Sequence, residues 1–216
     1  MALAGPFLTP FRPTQIIPVE ARQPPSPTHW FGTDNLGRDV FSRVIHGAFE
    51  ILALSGGGTL LALIAGTTIG LLTGYLGGWI DEVIMRFFDS LLALPAMLLA
   101  LLLLGTIGTS KNAILIVLVT VYTPLITRVV RSATLSIKPR SYIEAARLQG
   151  ENRTDILFRE ILPGVLPSLS VEAALRFSYA IFLVASLGFM SVGIQPPSPN
   201  WGIMVKEARA YVNQTP

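Results

Sequence analysis

The chain has 216 residues, of which 51% are hydrophobic and only 13% are charged, and its formal net charge is +3. Soluble domains carry about 25% charged residues, so half that value indicates a chain whose solvent is a lipid bilayer. The absence of cysteine excludes disulfides, thiolate metal sites and a cysteine nucleophile, and two histidines are too few for a histidine metal cluster. Basic residues near the ends of apolar segments set membrane orientation, so nucleic acid is not an expected partner.

Residues 1–49 are predicted to lie outside the membrane, on its extracytoplasmic side. Seven prolines fall within residues 1–28, a density that excludes a continuous helix. Apolar residues then recur at spacings of three and four between Val40 and Ala48, which predicts a short amphipathic helix at the membrane surface. Arg38 and Arg43 fall outside its apolar stripe. Asp34 and Asp39 either cap this helix or contact a partner, and we favour capping.

Four apolar segments are predicted to span the membrane as helices, because a hydrocarbon core requires about 20 helical residues. They cover about residues 51–78, 83–105, 112–127 and 165–192. In the first of them, small residues at four-residue intervals form a stripe on which another helix can pack closely. Its glycines are Gly58, Gly66, Gly70, Gly74 and Gly78. The GGWIDE sequence that follows is predicted to be a turn, and Pro95 is predicted to kink the second span.

Residues 128–163 form a predicted cytoplasmic loop, because they contain seven basic residues. Pro139 fits the first turn of a helix through SYIEAARLQ, with Ser136 as its cap, and Gly150 ends that helix in a left-handed conformation. A second short helix is predicted to end at Pro163. Its apolar pairs at i and i+4 are Leu157 with Ile161 and Phe158 with Leu162.

The two short helices form a predicted hairpin on the cytoplasmic face. Ala145 and Ala146 give it a flat surface that a groove in a partner could approach. Glu144 and Arg147 offer charge-assisted contacts at the edge of that surface. Elsewhere, Glu172 and Arg176 lie four residues apart in the fourth span, where ionisable residues are functional candidates. A local ion pair near the interface explains them equally well, and neither is assigned to substrate binding.

Three spaced motifs resemble those of ABC importer permeases. Glu144-Ala145-Ala146, followed by Gly150 and by Ile161-Leu162-Pro163, resembles the EAA loop of that family. The stretches FGTDNLGRDVFSRVIHGA and GIQPPSPNWGIM resemble the peptide/nickel group, in particular its C-type subunit for dipeptides or oligopeptides. The resemblance extends from about residue 25 to the end. It implies an all-α integral membrane protein, with the type I ABC importer transmembrane domain, in the inner (plasma) membrane of a prokaryote.

In that family the EAA hairpin docks in a groove of a cytoplasmic ATPase subunit. The resemblance implies that Glu144, Ala145, Ala146, Arg147 and Gly150 are the docking contacts here. The sequence has no G-x-x-x-x-G-K-[ST] loop, so ATP and magnesium are expected on separate ATPase subunits, with no cofactor and no enzyme activity in this chain. A second permease subunit, forming a heterodimer, and an extracytoplasmic solute-binding protein are the other implied partners.

The sequence departs from the family in its number of spans. Relatives have six, with one before the GTD motif and one after the proline-rich turn, so this chain is expected to lack the first and last. Residues 193–216 are then an extracytoplasmic turn and tail. The favoured substrate class is peptides, and glutathione-like compounds and chelated nickel are the alternative substrates. Two functions of other classes are also considered: a non-ABC membrane transporter, and a membrane anchor that recruits a cytosolic partner.

Overall fold

The computed structural model describes residues 9–212, and within them the regular secondary structure is helical. A 3₁₀ turn, Pro18–Glu20, precedes the longer helices. These are α1 (Val40–Leu76), α2 (Gly78–Leu92), α3 (Ala96–Ile107), α4 (Lys111–Ile137), α5 (Ser141–Leu148), α6 (Arg153–Phe189) and α7 (Trp201–Arg209). The prediction of an all-α protein is confirmed.

Within residues 9–212, the helices α1, α4 and α6 are long and apolar enough to cross a membrane. Helices α2 and α3 pass the same test only as a pair, and the pair is bent by 91°. The bend falls at Ala93–Pro95, where Pro95 has no N–H to continue the backbone ladder. The kink predicted at Pro95 is therefore present, and it takes the form of a break between two helices.

Helix α1 is continuous from Val40 to Leu76, so the separate surface helix predicted for residues 40–48 is wrong. Asp39 caps α1 by accepting a hydrogen bond of 2.8 Å from the backbone N–H of Ser42. No proline interrupts the helix after that cap, and its 37 residues span about 55 Å. The predicted turn at GGWIDE is also shorter than expected, because α2 begins at Gly78.

Helix α4 passes through Pro124 and ends at Ile137, ten residues beyond the predicted end of the third span. Proline is tolerated inside membrane helices when neighbouring groups satisfy the freed carbonyl. Beyond Pro124, ion pairs to α2 fix the extension. Both nitrogens of the Arg131 fork donate to Asp81, at 2.5 and 2.6 Å, and Arg128 pairs with Asp89. The predicted loop 128–163 therefore begins with ten residues of helix.

The predicted glycine stripe packs against α4 at Gly58, Gly66, Gly70 and Gly74, but Gly78 begins α2 and takes no part in this packing. A Cβ added at Gly70 would lie 2.7 Å from the Cβ of Val130, and one at Gly66 would lie 2.8 Å from the Cβ of Ile126. Real Cβ atoms do not approach so closely, so a larger residue would force the two helices apart. Small residues thus set the distance between α1 and α4.

The chain divides into two compact units. One consists of residues 57–103 and 115–180, and it contains the glycine stripe and the hairpin. The other consists of the described residues up to 56, residues 104–114 and the described residues from 181 onward, and it contains α7.

Candidate functional site

The turn of the hairpin is built as predicted. Gly150 has φ +79°, in the left-handed region that favours glycine. The N–H of Gly150 donates to the carbonyl of Arg147 at 3.1 Å, and the N–H of Glu151 donates to that of Ala146 at 3.2 Å. These two bonds form a Schellman motif, which satisfies the last carbonyls of α5. The turn is therefore a defined stop in the chain.

The start of α5 differs from the prediction. The N-cap residue is Arg140, and its side chain makes no capping hydrogen bond. The Oγ of Ser136 donates instead to the carbonyl of Ala133, at 2.7 Å, inside the last turns of α4. The predicted Ser136 cap is wrong because α4 continues past that residue.

The second arm of the hairpin is not a separate helix, so the end predicted at Pro163 is wrong. It begins at Arg153, passes through a π-helical segment, Ile156–Ile161, and continues as the rest of α6 to Phe189. In a regular α-helix the ring of Pro163 would clash with the carbonyl four residues earlier. The wider π-helical turn immediately before it accommodates that ring within a continuous helix. The hairpin is thus joined rigidly to a membrane-crossing helix.

The inner surface of the hairpin is apolar and buried. Ile143 and Ile161 are fully buried, and Ile156 and Leu157 are at most 4% exposed. Burying each such side chain contributes about 1.5–3 kcal/mol. Ala146 belongs to this surface because it is only 7% exposed, so the predicted flat face made by both alanines is wrong. Ala146 lies at the i+3 position from Ile143, so both residues fall on the same, buried side of α5.

The outer surface of the hairpin carries the remaining residues predicted for docking. Glu144, Ala145, Arg147 and Gly150 are all exposed. The apolar residues beside them were not predicted to take part in docking. Leu148 is 85% exposed, and Tyr142 is 41% exposed. On the second arm Phe158 is 52% exposed, so its predicted pairing with Leu162 does not bury it. Exposed apolar residues rimmed by charge are typical of protein interaction surfaces.

Two cations attach the base of the hairpin to the end of α1. The guanidinium carbon of Arg147 lies 4.9 Å from the ring centroid of Tyr75, and the Nζ of Lys138 lies 5.8 Å from the same centroid. Each such cation–π contact contributes about 0.5–1 kcal/mol at an exposed site. Nothing in the sequence indicated Tyr75, because the contact joins residues more than 60 positions apart.

Glu172 and Arg176 form the ion pair that their spacing allows. The Nε of Arg176 donates to Oε1 of Glu172 at 2.5 Å, and the two side chains are 17% and 9% exposed respectively. The guanidinium carbon of Arg176 also lies 6.0 Å from the ring of Tyr122 on α4 and 5.5 Å from that of Tyr179. The structure therefore surrounds one cation with a carboxylate and two aromatic rings.

In the other unit, four side chains form what we call the buried charge cluster: Asp34, Arg38, Arg43 and Glu207. Arg38 bonds Asp34 at 2.6 Å and Glu207 at 2.7 Å. Arg43 pairs with Asp34 and, at 3.1 Å, with Glu207. The two arginine side chains are only 5% and 2% exposed. The sequence places both arginines outside the apolar stripe of the helix, and the structure shows that they are nevertheless buried.

The electrostatics of Asp34 follow from this setting. Burial raises the pKa of its carboxyl, but hydrogen bonds from the backbone N–H groups of Arg38 and Leu36, and from the Arg38 guanidinium, outweigh burial and hold the pKa below its ordinary value. Asp39 caps α1 and also bonds Nδ1 of His29 at 2.9 Å. The capping interpretation is confirmed for Asp39, whereas Asp34 holds the turn that precedes it.

Helix α7 lies within residues 193–216, for which the sequence had predicted only a turn and a tail. The Oδ1 of Asn200 caps it by accepting a hydrogen bond of 2.9 Å from the N–H of Gly202. The indole N–H of Trp201 donates to the carbonyl of Val44 at 3.0 Å. The sequence NWGIM does contain a capping residue before an apolar run, so the signal was present.

The fold is that of a polytopic membrane protein with an exposed docking element. It combines several long apolar helices, two of which pack through glycines, with a polar hairpin that is continuous with one helix. The chain belongs to the family described as binding-protein-dependent transport system inner membrane component, whose sequence model matches residues 66–212. It is thus a component of the inner membrane, as predicted.

Named relatives agree with this family. The chain is 40% identical over 216 residues to the dipeptide transport system permease protein DppC of Alkalihalophilus pseudofirmus, covering all of this chain and 71% of that protein. It is 43% identical over 186 residues to the glutathione transport system permease protein GsiD of Pectobacterium atrosepticum, covering 86% of this chain and 62% of that protein. The probable D,D-dipeptide transport system permease protein DdpC of Escherichia coli is 36% identical over 212 residues, with coverages of 98% and 71%.

Proposed function

We propose that this chain is the membrane-spanning permease subunit of an ABC importer for peptides, driven by ATP hydrolysis in separate subunits. The family assignment and the names of the relatives, two for dipeptides and one for glutathione, support a peptide-like substrate. Glutathione uptake by the same mechanism is the second candidate. The observation that carries the proposal is the hairpin of residues 141–161, with a buried inner surface and an exposed outer one.

The outer surface of the hairpin is the proposed contact with the ATPase. Leu148 supplies an exposed apolar side chain next to the turn, and Ala145 leaves space on the same helix for a partner's groove. Glu144 has no ion-pair partner within residues 9–212, so its charge is available to a cation on the partner. Apolar anchors surrounded by polar groups carry most of the binding energy in protein interfaces.

The connection between the hairpin and the membrane supports a mechanical role. Because the second arm and α6 are one helix from Arg153 to Phe189, displacing the hairpin displaces the end of a spanning segment. The π-helical segment, Ile156–Ile161, lies at the junction, and such segments occur frequently at functional sites. Closure of two ATPase subunits would therefore be transmitted to the spans and alternate the access of the solute site.

The remaining partners follow from the same proposal. No phosphate-binding G-x-x-x-x-G-K-[ST] loop is present in the sequence, so ATP and magnesium belong to other subunits. A second permease subunit would complete the pathway as a heterodimer. A solute-binding protein would deliver the substrate to the extracytoplasmic surface, as the description of the family implies.

Co-purification from membranes with the two ATPase subunits tests this proposal. Glu144→Arg, Gly150→Pro and Leu148→Arg should each abolish retention of the ATPases, whereas wild type retains them. Glu82→Arg is the matched control, because Glu82 is an exposed carboxylate on α2 that pairs with Arg86 outside the hairpin. Leu148 is 85% exposed, so its replacement leaves folding intact. Equal retention by wild type and Leu148→Arg would contradict the proposal.

A further inference from the structure

Two apolar helices carry matching rows of polar residues, one of which begins with a glycine. On α4 and just beyond its end the row is Arg128, Ser132, Ser136 and Arg140, and on α6 it is Gly164, Ser168, Glu172 and Arg176. The members of each row are four residues apart. Rows at i±4 are the ridges along which helices face each other, so each set occupies one side of its helix. We call these eight residues the polar seam.

The two rows border a common cavity of about 570 Å³. Its lining includes six members of the seam: Arg128, Ser132, Ser136, Arg140, Gly164 and Ser168. A hydroxyl or a guanidinium facing acyl chains without a hydrogen-bond partner loses several kcal/mol. A cavity lined in this way between membrane-crossing helices is therefore a place for water or a polar solute, not for lipid.

The serines of α6 differ in hydrogen bonding according to whether they face the cavity. Ser170 and Ser178 lie off the seam, and their hydroxyls donate to backbone carbonyls of their own helix at 2.8 and 3.0 Å. A serine satisfied in this way can face lipid. By contrast, the hydroxyls of Ser132 and Ser168 have no hydrogen-bond partner within residues 9–212. Ser136 is likewise satisfied, by the carbonyl of Ala133, so among the seam serines Ser132 and Ser168 are the two that need a partner from outside the described residues.

The end of the seam that lies farthest from the hairpin along α6 is the Glu172–Arg176 pair. There the guanidinium of Arg176 lies 6.0 Å from the ring of Tyr122, so α4 and α6 are still neighbours at that depth. Tyr179, next to the same guanidinium, is 55% exposed and offers a phenol at the end of the row. From Gly164 to Arg176 the seam covers about 18 Å at 1.5 Å per residue, more than half of a hydrocarbon core of about 30 Å.

The charges of the seam select the kind of solute. Arg128 is paired with Asp89, and Arg176 is paired with Glu172. Arg140 is exposed and has no ion-pair partner within the described residues, so the unbalanced charge of the cavity is positive. A positive, water-lined groove concentrates anionic groups.

We propose that the polar seam lines the cytoplasmic half of the solute route and accepts a peptide-like solute through its free carboxylate. This inference rests on the proposed function, since a route requires a transporter. Within it, Arg140 is the residue that meets the carboxylate at the mouth, and the Glu172–Arg176 pair with Tyr179 forms the inner polar contact.

Thiol accessibility tests the water-lined seam directly, because the chain has no cysteine. Single variants Ser132→Cys, Ser136→Cys and Ser168→Cys are introduced into the assembled transporter in inside-out vesicles and treated with a charged, membrane-impermeant methanethiosulfonate. We expect all three to react, and a dipeptide to slow the reaction. Ser170→Cys and Ser178→Cys are matched controls on α6 and should stay unreactive. If Ser168→Cys reacts no faster than Ser170→Cys, the seam is not a route.

A comparison of reagent charge tests the carboxylate preference. At Ser136→Cys an anionic reagent should react about fivefold faster than a cationic one, relative to free thiol, because of the positive charge nearby. Arg140→Gln should abolish this preference, and Arg140→Lys should keep it. An unchanged ratio in Arg140→Gln would overturn the role given to Arg140. The labelling experiments report on the seam and not on the ATPase contact. An unreactive Ser168→Cys in a transporter that retains its ATPases would overturn the seam and leave the proposed function standing. Failure of the wild-type permease to retain the ATPases in the co-purification would refute the proposed function.

Discussion

Two polar regions of this chain look alike in sequence and differ in structure. The buried charge cluster and the hairpin both interrupt apolar segments with closely spaced acids and bases. In the cluster, Arg38 and Arg43 are buried against Asp34 and Glu207 of the same chain. In the hairpin, Glu144 is exposed without an ion-pair partner among the described residues.

The comparison separates structural charge from charge that serves a partner. A buried ion pair is costly to break, because removing one member leaves the other desolvated and unpaired. An exposed charge costs little to change in the free protein and acts only when a partner covers it. Mutations in the two regions should therefore affect different observables: stability for the cluster, and subunit binding for the hairpin.

Removal of Arg43 should have the largest effect on stability. Arg43→Met leaves Asp34 without one partner and is expected to destabilise the protein by about 3–5 kcal/mol. Thermal unfolding of the purified protein in detergent measures this. Arg86→Met, which removes an exposed pair with Glu82, should cost less than about 1 kcal/mol. Equal losses in the two variants would mean that the cluster is not structural.

A smaller effect is expected at the turn of the hairpin. Gly150→Ala forces a Cβ into the left-handed region at φ +79° and should cost about 1–2 kcal/mol. Among the described residues, no heavy atom outside Gly150 and its two chain neighbours lies within 4 Å of the position of that Cβ, so the cost is conformational and not steric. Gly150→Asn, which tolerates this conformation better, should recover part of the loss in the same unfolding assay. No recovery would indicate that the backbone conformation is not the cause.

At the exposed apolar residue of the hairpin, stability should barely change while binding is lost. Leu148→Ala is expected to alter the free energy of unfolding by less than about 0.5 kcal/mol. An apolar anchor at the centre of an interface contributes about 2 kcal/mol or more. The affinity of the Leu148→Ala permease for the ATPase should therefore fall about 30-fold. Titration of the ATPase against the reconstituted permease measures the affinity. An unchanged affinity would remove Leu148 from the docking surface.

The last prediction concerns how the stability of the protein depends on pH, an effect that is smallest near neutral pH. The pKa of Asp34 is lower in the folded protein than its ordinary value, so the folded state binds fewer protons and stability rises with pH. This contribution is complete above the unfolded pKa of about 3.9 and is lost as pH falls through the folded pKa. Asp34→Asn should therefore flatten the dependence of the unfolding temperature on pH below about 5. An unchanged slope would contradict the assignment.

Local features were predictable from sequence, and long-range ones were not. The turn at Gly150 and the glycine stripe of α1 depend on neighbouring residues and on a helical period, both of which are readable in the sequence. The burial of Arg43 depends on Glu207, 164 residues away, and no local pattern announces that pairing. Continuity through Pro124 and Pro163 was missed because proline was taken as a helix end, although tertiary packing and a π-helical turn accommodate it.

Site-specific cross-linking tests the central claim that the hairpin is the ATPase docking surface. A photoreactive cross-linker attached to Leu148→Cys in the otherwise cysteine-free chain is compared with the same cross-linker at Val205→Cys on α7. Both residues are exposed, at 85% and 60%. The account predicts a covalent adduct with the ATPase from Leu148→Cys and none from Val205→Cys. An adduct from Val205→Cys alone, or none from Leu148→Cys in an assembled transporter, would contradict it.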